Sequence, residues 1–593
     1  MDIPKHTKSS NTANEEGGRL RFLGVYHVPQ IQSLQHIVTT LSPLERVLFW
    51  FLTSAFVLSA FVVFTQLNHE TTTEVPVRGG TVHEGVIGAP RFINPLLALS
   101  DTDRDLSALI YAGLTRPAPD GTLIPDISER YTISDDGTEY HFVLRDDARF
   151  HDGTPLTADD VVFTIERAQD SIIKSPRRAD WEGVRVEKVN DREVRFVLQR
   201  PYAAFLENTT MGIIPRHIWL NVSPQEFAFS NFNTQPIGSG PFKLHDIKYN
   251  SSGIPTNYDL RPFVDYTLGR PFINKLFVHF FANEDELLRA YSNGTVHNLN
   301  AISYTALDEH LAENSQLLQV AFPRIFAIFF NQNKNHLFAD KSVRRALDTL
   351  LDKERIVSEV LSGYGTVIDS PIPPRTVTGQ STATTELFTV EERRESAKTI
   401  LEKGGWEFDE NLGRWTNGEQ LLTFSIATAN TPELKRAAQI AASAWTDAGI
   451  PVQVNVFETG ELNQNVIRPR DYEALLFGEV VGRGLDLFAF WHSSQKDDPG
   501  LNIGIYTNAT VDDLLSKARA TADKSRRDEL YLKFEEEIQT DSPAIFLYAP
   551  DFLYVVPKQL QGVEIGLVAN QSERFSGVHL WHTQTERVWH FFD

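Results

Sequence analysis

Ser239 is the side chain whose setting most resembles that of a catalytic nucleophile. It lies between Gly238 and Gly240, as a serine does in a tight turn that exposes its hydroxyl. Pro236 and Pro241 flank the turn, and prolines on both sides favour a rigid structural bend. Because nucleophilic catalysis also needs a base beside the serine and the sequence offers no such pair, we interpret Ser239 as a turn residue.

Residues 101–105 carry three aspartates at alternate positions, as a calcium-binding loop does. Such a loop needs glycine at its sixth position and a bidentate glutamate at its twelfth. Here these positions are Leu106 and Ala112. The spacing therefore does not predict a calcium site.

His492, Asp497 and Asp498 are the other grouping that could bind a metal ion, but His and Asp on a polar loop are usually only solvated. The chain also contains no G-x-S-x-G elbow, no P-loop, no H-E-x-x-H and no G-x-G-x-x-G after a strand. We therefore predict a protein that is not an enzyme, with no catalytic residues, no metal site and no cofactor.

The composition limits the kinds of partner. A formal charge of −22 disfavours nucleic acid, because phosphate binding needs concentrated Lys and Arg. The chain has no cysteine, which excludes disulfides, thiolate zinc sites and a lipid-modified N-terminal cysteine. The whole chain is 41% hydrophobic and 23% charged, the balance of a globular protein, and the more than 500 residues after residue 67 are enough for two or three cores.

Residues 47–67 contain no charge and are long enough to cross a bilayer as a helix. The 46 residues before them exceed the n-region of a secretory peptide, so we predict an uncleaved signal anchor at 43–67. Ser42, Pro43 and Glu45 have the pattern of a helix start with a capping box. More Lys and Arg residues precede the span than closely follow it, which favours a cytoplasmic tail at 1–42. Residues 1–24 are polar and low in aromatics, so the tail is expected to be partly disordered. Residues 68–77 are expected to be a linker.

After the span, strands and helices alternate. Residues 140–144 and 452–457 have the pattern of strands, and Thr157 and Asp160 have the pattern of a helix start. Longer helices are predicted at 340–361 and, between Thr431 and Gly449, at 432–448. Strands interleaved with helices, without a repeat of 20 to 50 residues, predict an α/β body of more than one lobe.

Eight separated parts of residues 78–593 carry motifs that are matched together. They are Arg78-Gly-Gly-Thr81, Asn94-Pro95, Leu109-Ile-Tyr-Ala-Gly-Leu114, residues 125–160, Pro236-Ile-Gly-Ser-Gly-Pro-Phe242, Asp340-Lys-Ser-Val-Arg-Arg-Ala-Leu347 with Asp352-Lys-Glu354, residues 397–406 and residues 531–548. Individually they are weak matches, but their order along the chain is specific. In this order the segments resemble one family, the family 5 extracellular solute-binding proteins of bacterial importers.

The resemblance implies a two-lobed, periplasmic-binding-protein-like α/β clamp of the large class, with an extra subdomain. We expect a large lobe at 78–325 plus 550–593 and a second lobe at 326–549. The clamp is expected to be a monomer that follows the single transmembrane helix, on the outer side of the cell membrane. In the family such a clamp closes over a ligand and delivers it to a permease driven by an ATPase.

The resemblance also suggests ligand-binding residues, although one motif departs from the family. Peptide-binding members hold the ligand's α-amino group with an Asp in a W-x-x-D-Y-x-x-P segment. Here the segment corresponds to 478–491, and Arg483 stands near the expected Asp with Asp486 downstream. Arg483 would attract a carboxylate if it faced the cleft, and Asp486 would suit an amine if the loop were shifted; alternatively, Arg483 pairs with a surface acid. The predicted substrate-binding residues are Tyr111, Gly482, Arg483, Gly484, Asp486 and Trp491.

The sequence thus predicts a membrane-anchored substrate-binding protein of an importer, with a peptide or peptide-like solute, a permease and an ATPase as partners. A non-transport receptor or chaperone with the same clamp is the alternative. Within the leading class, a chelated metal or an oligosaccharide is the alternative ligand.

Overall fold

The computed structural model describes residues 40–300, 302–304, 306–307, 312–374, 376–377 and 388–589. Most of the predicted tail at 1–42 therefore lies outside the described residues. The chain divides into two compact units, one of residues up to Val75 together with those from Arg587 onward, and one of Pro76–Glu586.

The first unit contains helix α1, Pro43–Thr71. Its start has the predicted capping box: Ser42 N–H donates to a Glu45 carboxylate oxygen at 2.8 Å. No residue of the segment Pro43–Gln66 is buried, and among the described residues it is the one helix long and apolar enough to cross a membrane. Residues 68–77, expected to be a linker, continue the helix to Thr71 and then form strand β1, Thr72–Pro76, which pairs with β23, Thr585–Trp589.

The second unit is an α/β body, as predicted. Its helices of at least eight residues in the described part are α2 (Asp101–Ile110), α3 (Ala158–Gln169), α4 (Glu284–Ser292), α5 (Lys341–Thr349), α6 (Lys353–Leu361), α7 (Val390–Lys403), α8 (Pro432–Asp447), α9 (Ala509–Ala520) and α10 (Lys524–Asp541). Its strands are β2 (Gly79–Ile87), β3 (Thr115–Pro117), β4 (Leu123–Pro125), β5 (Ser128–Ile133), β6 (Glu139–Leu144), β7 (Arg185–Asn190), β8 (Glu193–Val197), β9 (Phe242–Tyr249), β10 (Pro255–Pro262), β11 (Ile273–Phe281), β12 (Asn298–Asn300), β13 (Ser315–Ala321), β14 (Arg324–Phe330), β15 (Gly365–Val367), β16 (Glu407–Asp409), β17 (Arg414–Asn417), β18 (Gln420–Leu421), β19 (Phe424–Ala429), β20 (Val452–Phe457), β21 (Ala474–Val480) and β22 (Ala544–Pro557).

One long sheet runs through the body in the order β20-β19-β21-β14-β22-β12-β2-β11-β10-β9. Strand β22 lies in the middle of this order, and its two parts have different partners: Ala544–Tyr548 pair with β14, and Asp551–Pro557 pair with β13. A separate sheet of β5, β6, β8 and β7 packs with α3.

The body has two large hydrophobic cores. The first core contains buried residues from 82–322 and 552–581, and the second contains buried residues from 325–549. We call the parts of the body built around them the first half and the second half. Within the described residues, the main chain passes between the halves at 322–324 and again at 549–551.

The local patterns predicted most of these elements. The cap of α3 by Thr157 and Asp160, helix α8 and strands β6 and β20 are confirmed. The single helix predicted at 340–361 is wrong, because the segment forms two helices, α5 and α6. The Asp352 side chain accepts from Arg355 N–H at 3.0 Å and begins the second one.

Candidate functional site

The segment after β21 approaches the first half of the body closely. Gly482 has a φ of +75°, a conformation that residues with a side chain rarely adopt. Gly484 faces Ala204, and a Cβ added to Gly484 would lie 2.6 Å from the Ala204 Cβ. Both glycines therefore allow the second half to touch the turn Phe205–Asn208 of the first half.

Arg483 joins the two halves through a buried ion pair. Its guanidinium pairs with Glu573 and donates to the Leu567 carbonyl at 3.1 Å, both in the first half. Glu573 also accepts from Ala569 N–H at 2.7 Å and from the Asn570 amide at 3.2 Å. Of the two arrangements expected for Arg483, the structure has the pairing, but with a buried acid instead of a surface acid.

The turn that carries Glu573 is fixed in the first core by its neighbour Arg574. This buried guanidinium pairs with Glu84 at 2.8 Å and Asp105 at 2.6 Å, and Tyr554 O–H donates to Glu84 at 2.6 Å. Burial raises the pKa of both carboxyls, although Arg574 opposes that effect. Burial lowers the pKa of Arg574, but Asp105 and Glu84 more than offset this and raise it above its usual value. The Glu573 turn is therefore held rigidly by the first half.

Glu207 is a third charged group at this contact, and the sequence did not point to it. Burial raises the pKa of its carboxyl to about 7; Arg483 opposes the shift and Glu573 adds to it. The Oε1 atom of Glu207 and the Nε atom of Arg483 are both buried without a hydrogen-bond partner in the described part of the chain. The carboxyl groups of Glu207 and Glu573 thus both interact electrostatically with the guanidinium of Arg483.

Asp486 takes part in a second contact between the halves. It pairs with Arg519 of the second half at 3.0 Å and accepts from the hydroxyl of Tyr202 of the first half at 3.3 Å. The Arg519 guanidinium lies 5.0 Å from the Tyr202 ring centre and 4.6 Å from that of Phe488. The Asp486 carboxylate is therefore already bound to the Arg519 guanidinium and to the Tyr202 hydroxyl.

Tyr111 ends α2 and packs against the glycine turn that contains Ser239. A Cβ on Gly238, in that turn, would lie 3.0 Å from the Tyr111 Cδ1. The Tyr111 hydroxyl and the Ser239 hydroxyl are buried, and neither has a hydrogen-bond partner among the described residues. Burial raises the pKa of Tyr111, so this phenol is neutral at physiological pH.

His151 is the histidine beside Ser239, but it does not act on the serine hydroxyl. Its Nε2 donates to the Gly240 carbonyl at 3.0 Å and its Nδ1 accepts from Gly238 N–H at 3.3 Å. Both ring nitrogens are therefore used to hold the turn. This arrangement agrees with the interpretation of Ser239 as a turn residue.

Trp491, predicted to contact the ligand, lies in the second core. Its side chain is buried between Phe329 and Phe546, with ring centres 6.1 and 5.7 Å away. The apolar run before it, 487–490, forms a turn of helix that directs the indole inward. A ligand contact of Trp491 stays a prediction.

His492 lies 3.9 Å from Asp512 and accepts from Ser494 N–H, while Asp498 faces Arg468 at 3.8 Å. The three residues considered as metal ligands are thus not brought together around one point. In the ranges that the structure describes, no three His, Asp or Glu side chains form a group able to hold a metal ion as folded.

Known proteins have similar folds and related sequences. The model of the bacterial extracellular solute-binding proteins, family 5, matches residues 122–499. The oligopeptide-binding protein AppA of Bacillus subtilis is 29% identical over 495 residues, which cover 82% of this chain and 89% of AppA. The structure of AppA with a nonapeptide superposes with a TM-score of 0.65 and 27% identity, over 86% of this chain and 99% of that one.

The structure of NikZ from Campylobacter jejuni in complex with Ni(L-His) superposes with a TM-score of 0.67 and 25% identity, over 85% of this chain and 99% of NikZ. Members of this family are binding proteins and not enzymes. Since the family model covers more than half of the chain, the protein belongs to the family 5 bacterial extracellular solute-binding proteins.

Proposed function

We propose that this protein is a membrane-anchored, extracytoplasmic substrate-binding protein of an ATP-driven importer, and that it binds peptides or peptide-like solutes between two lobes. The observation that carries the proposal is the pair of contacts across the two halves, Arg483 with Glu573 and Asp486 with Tyr202. Such contacts form only when the halves are together. A clamp that closes over its ligand needs contacts of this kind.

The lobes of the proposed clamp are 78–325 plus 550–593 and 326–549. Two main-chain crossings, at 322–324 and 549–551, join the cores, and a body with few crossings can bend at them. We propose that a permease recognises the form in which the lobes are together. The ligand stabilises that form because it touches both lobes.

Peptides are the leading ligand class because AppA, described as an oligopeptide-binding protein, was determined with a nonapeptide and covers most of this chain. We propose that Tyr111, Gly482 and Gly484 lie at the cleft. Arg483 and Asp486 are proposed to set the closed form through their partners in the other lobe, since both are already paired. A chelated metal is the second candidate ligand, supported by the likeness to NikZ with Ni(L-His).

The test is to purify the full chain in detergent, identify what co-purifies by mass spectrometry, and measure thermal shifts with peptide pools and with Ni(L-His). Bound peptides and a raised melting temperature with peptides alone would support the proposal. A shift with Ni(L-His) alone would replace peptides by the second candidate. No bound compound and no shift with either would overturn binding of both classes and favour the non-transport receptor.

A further inference from the structure

A ribbon of two short strands follows helix α1 directly. The helix ends at Thr71, and strand β1 begins with the next residue. Strand β1 pairs with β23, and the contact between Glu74 and Arg587 in this ribbon joins residues 513 positions apart in the sequence. The ribbon therefore brings a distant part of the chain to the end of the predicted membrane anchor.

Two contacts give the register of the ribbon. Val77 N–H donates to the Gln584 carbonyl at 2.9 Å, and the Glu74 carboxylate pairs with the Arg587 guanidinium at 3.2 Å. Because the later residue of the first segment meets the earlier residue of the second, the strands are antiparallel. In this register the first residue of β1 lies opposite Trp589, at the end of the ribbon that joins α1.

The spanning role proposed for α1 sets the depth of that end. The apolar segment ends at Gln66, and the helix continues to Thr71. Five helical residues add about 7 Å at 1.5 Å per residue. A bilayer is about 30 Å thick in its hydrocarbon and about 40–45 Å with its headgroups, so each headgroup layer is about 5–8 Å thick. The end of α1, and Trp589 beside it, therefore lie at the outer part of the headgroup layer.

The side chain of Trp589 suits that layer. It is 43% exposed, whereas each of the seven tryptophans between β1 and β23 is at most 4% exposed. Alternate residues of a strand share a face, so Trp589 lies on the same face of the ribbon as Arg587 and its partner Glu74. Tryptophan is enriched where membrane meets water, because its ring is largely apolar and its N–H can donate to a polar group.

We propose that Trp589 inserts into the headgroup layer of the bilayer that α1 spans, so that β23 binds the lipid surface. The proposal rests on the membrane anchoring proposed for this chain and adds a second attachment to it. The chain enters the second unit at Pro76 and leaves it at Glu586, so both connections continue into this ribbon. A zwitterionic lipid is the expected partner, because the net charge of −22 opposes an anionic surface.

The test is tryptophan fluorescence of the full chain in phosphatidylcholine vesicles whose acyl chains carry bromine near the headgroup. Bromine quenches tryptophan only at short range. All samples carry Trp50→Phe, which removes the tryptophan of α1 and leaves Trp589 as the exposed one. We expect Trp589 to be quenched in brominated vesicles relative to vesicles without bromine. The quenching should be lost in Trp589→Phe, whose circular dichroism and melting temperature should stay unchanged because the residue is exposed.

A matched control moves the tryptophan along the same strand. Trp589→Thr combined with Thr585→Trp keeps the indole on the same face, four residues or about 13 Å farther from α1, and should be quenched much less. Equal quenching at both positions, or no quenching of Trp589 in vesicles that carry the chain, overturns the proposal. Flotation of the vesicles separates that result from failure of the anchor, since a chain that does not float with them refutes the membrane anchoring as well.

Discussion

Arg483 and Glu573 form a charged pair with little contact with water, since their side chains are 7% and 13% exposed. Transferring both charges from water costs free energy that their attraction and the hydrogen bonds from Ala569 and Asn570 offset. Removal of one partner is strongly destabilising, because the remaining charge stays buried without an opposite charge. The proposed closed form should therefore depend strongly on this pair.

Arg483→Ala is expected to separate the proposed lobes, because Glu573 would remain buried and unpaired, at a cost of about 3–5 kcal/mol. The chain has no cysteine, so Glu182→Cys in the first half and Lys435→Cys in the second provide two exposed sites for spin labels. Pulsed spin-label distances should lengthen in Arg483→Ala. Arg345→Ala, which removes an exposed arginine, is the control. Identical distributions in both variants would contradict this role of Arg483.

Glu207 should make closure depend on pH. Its pKa is about 7 in this structure and is ordinarily about 4.5, so the form described here binds the proton more tightly. A raised pKa contributes stability that is fully present below pH 4.5 and is lost as pH rises through 7, by about 3 kcal/mol in all. The short-distance population of the same spin-label pair should therefore fall between pH 4.5 and 7.

The comparison for this prediction is Glu207→Gln, which keeps the size of the side chain and removes its titration. This variant should be more closed than the wild type at pH 7 and less sensitive to pH. Glu573 and Asp486, whose pKa values are also raised by burial, act in the same direction and leave a residual slope. A wild-type slope retained in full by Glu207→Gln would assign the effect to those other carboxyls.

At the scale of elements, the glycine turn 236–241 holds the end of α2 in place. Gly240 N–H donates to the Ile110 carbonyl at 2.8 Å, and His151 binds the turn from the other side. A Cβ on Gly238 would lie 2.1 Å from that carbonyl oxygen, which is backbone and cannot move aside. The Gly-Ser-Gly motif can be recognised in the sequence because Gly238 and Gly240 both lie against the backbone of Ile110, where a Cβ would clash.

Gly238→Ala should destabilise the first half by overpacking, by about 1–3 kcal/mol or more. The matched control is Gly460→Ala, since a Cβ there meets nothing within 4 Å. Thermal unfolding of the two variants followed by circular dichroism measures the difference. If Gly238→Ala had the same melting temperature as Gly460→Ala, the turn would be able to shift away from α2.

Helix starts were the elements best predicted from sequence, because a cap is a local pattern. Thr157 with Asp160 and Pro432 are followed by helices as expected. The break between α5 and α6 was missed. The apolar residues of both helices pack in one second core, so the hydrophobic pattern continues through the break. Asp352, a good cap in the middle of that pattern, was the available signal.

At the scale of the whole molecule, the order of the motifs was sufficient to identify the family, but it did not determine the contacts of the predicted site residues. Arg483 and Glu573 are 90 residues apart in sequence and come from different halves of the body. Whether Arg483 meets a ligand or an acid depends on that distant partner, so both arrangements remained open. Glu207 lies in a short turn without a motif. The glycines at 482 and 484 approach it from the second half, since a Cβ added to Gly484 would lie 3.4 Å from the Glu207 Cδ.

The predicted membrane anchor concerns the whole chain, because it would hold the protein at the membrane. The 24-residue, predominantly apolar segment Pro43–Gln66 forms a helix about 36 Å long, enough for the roughly 30 Å hydrocarbon layer. Phe56→Arg with Val57→Arg places two charges near its centre, each costing about 2.5–3.5 kcal/mol on insertion. The wild type should stay in the membrane pellet after carbonate extraction, as should the control Phe56→Leu with Val57→Leu. The arginine variant should be released. Recovery of wild-type protein in the soluble fraction, cleaved after the helix, would show that the segment is a removed signal.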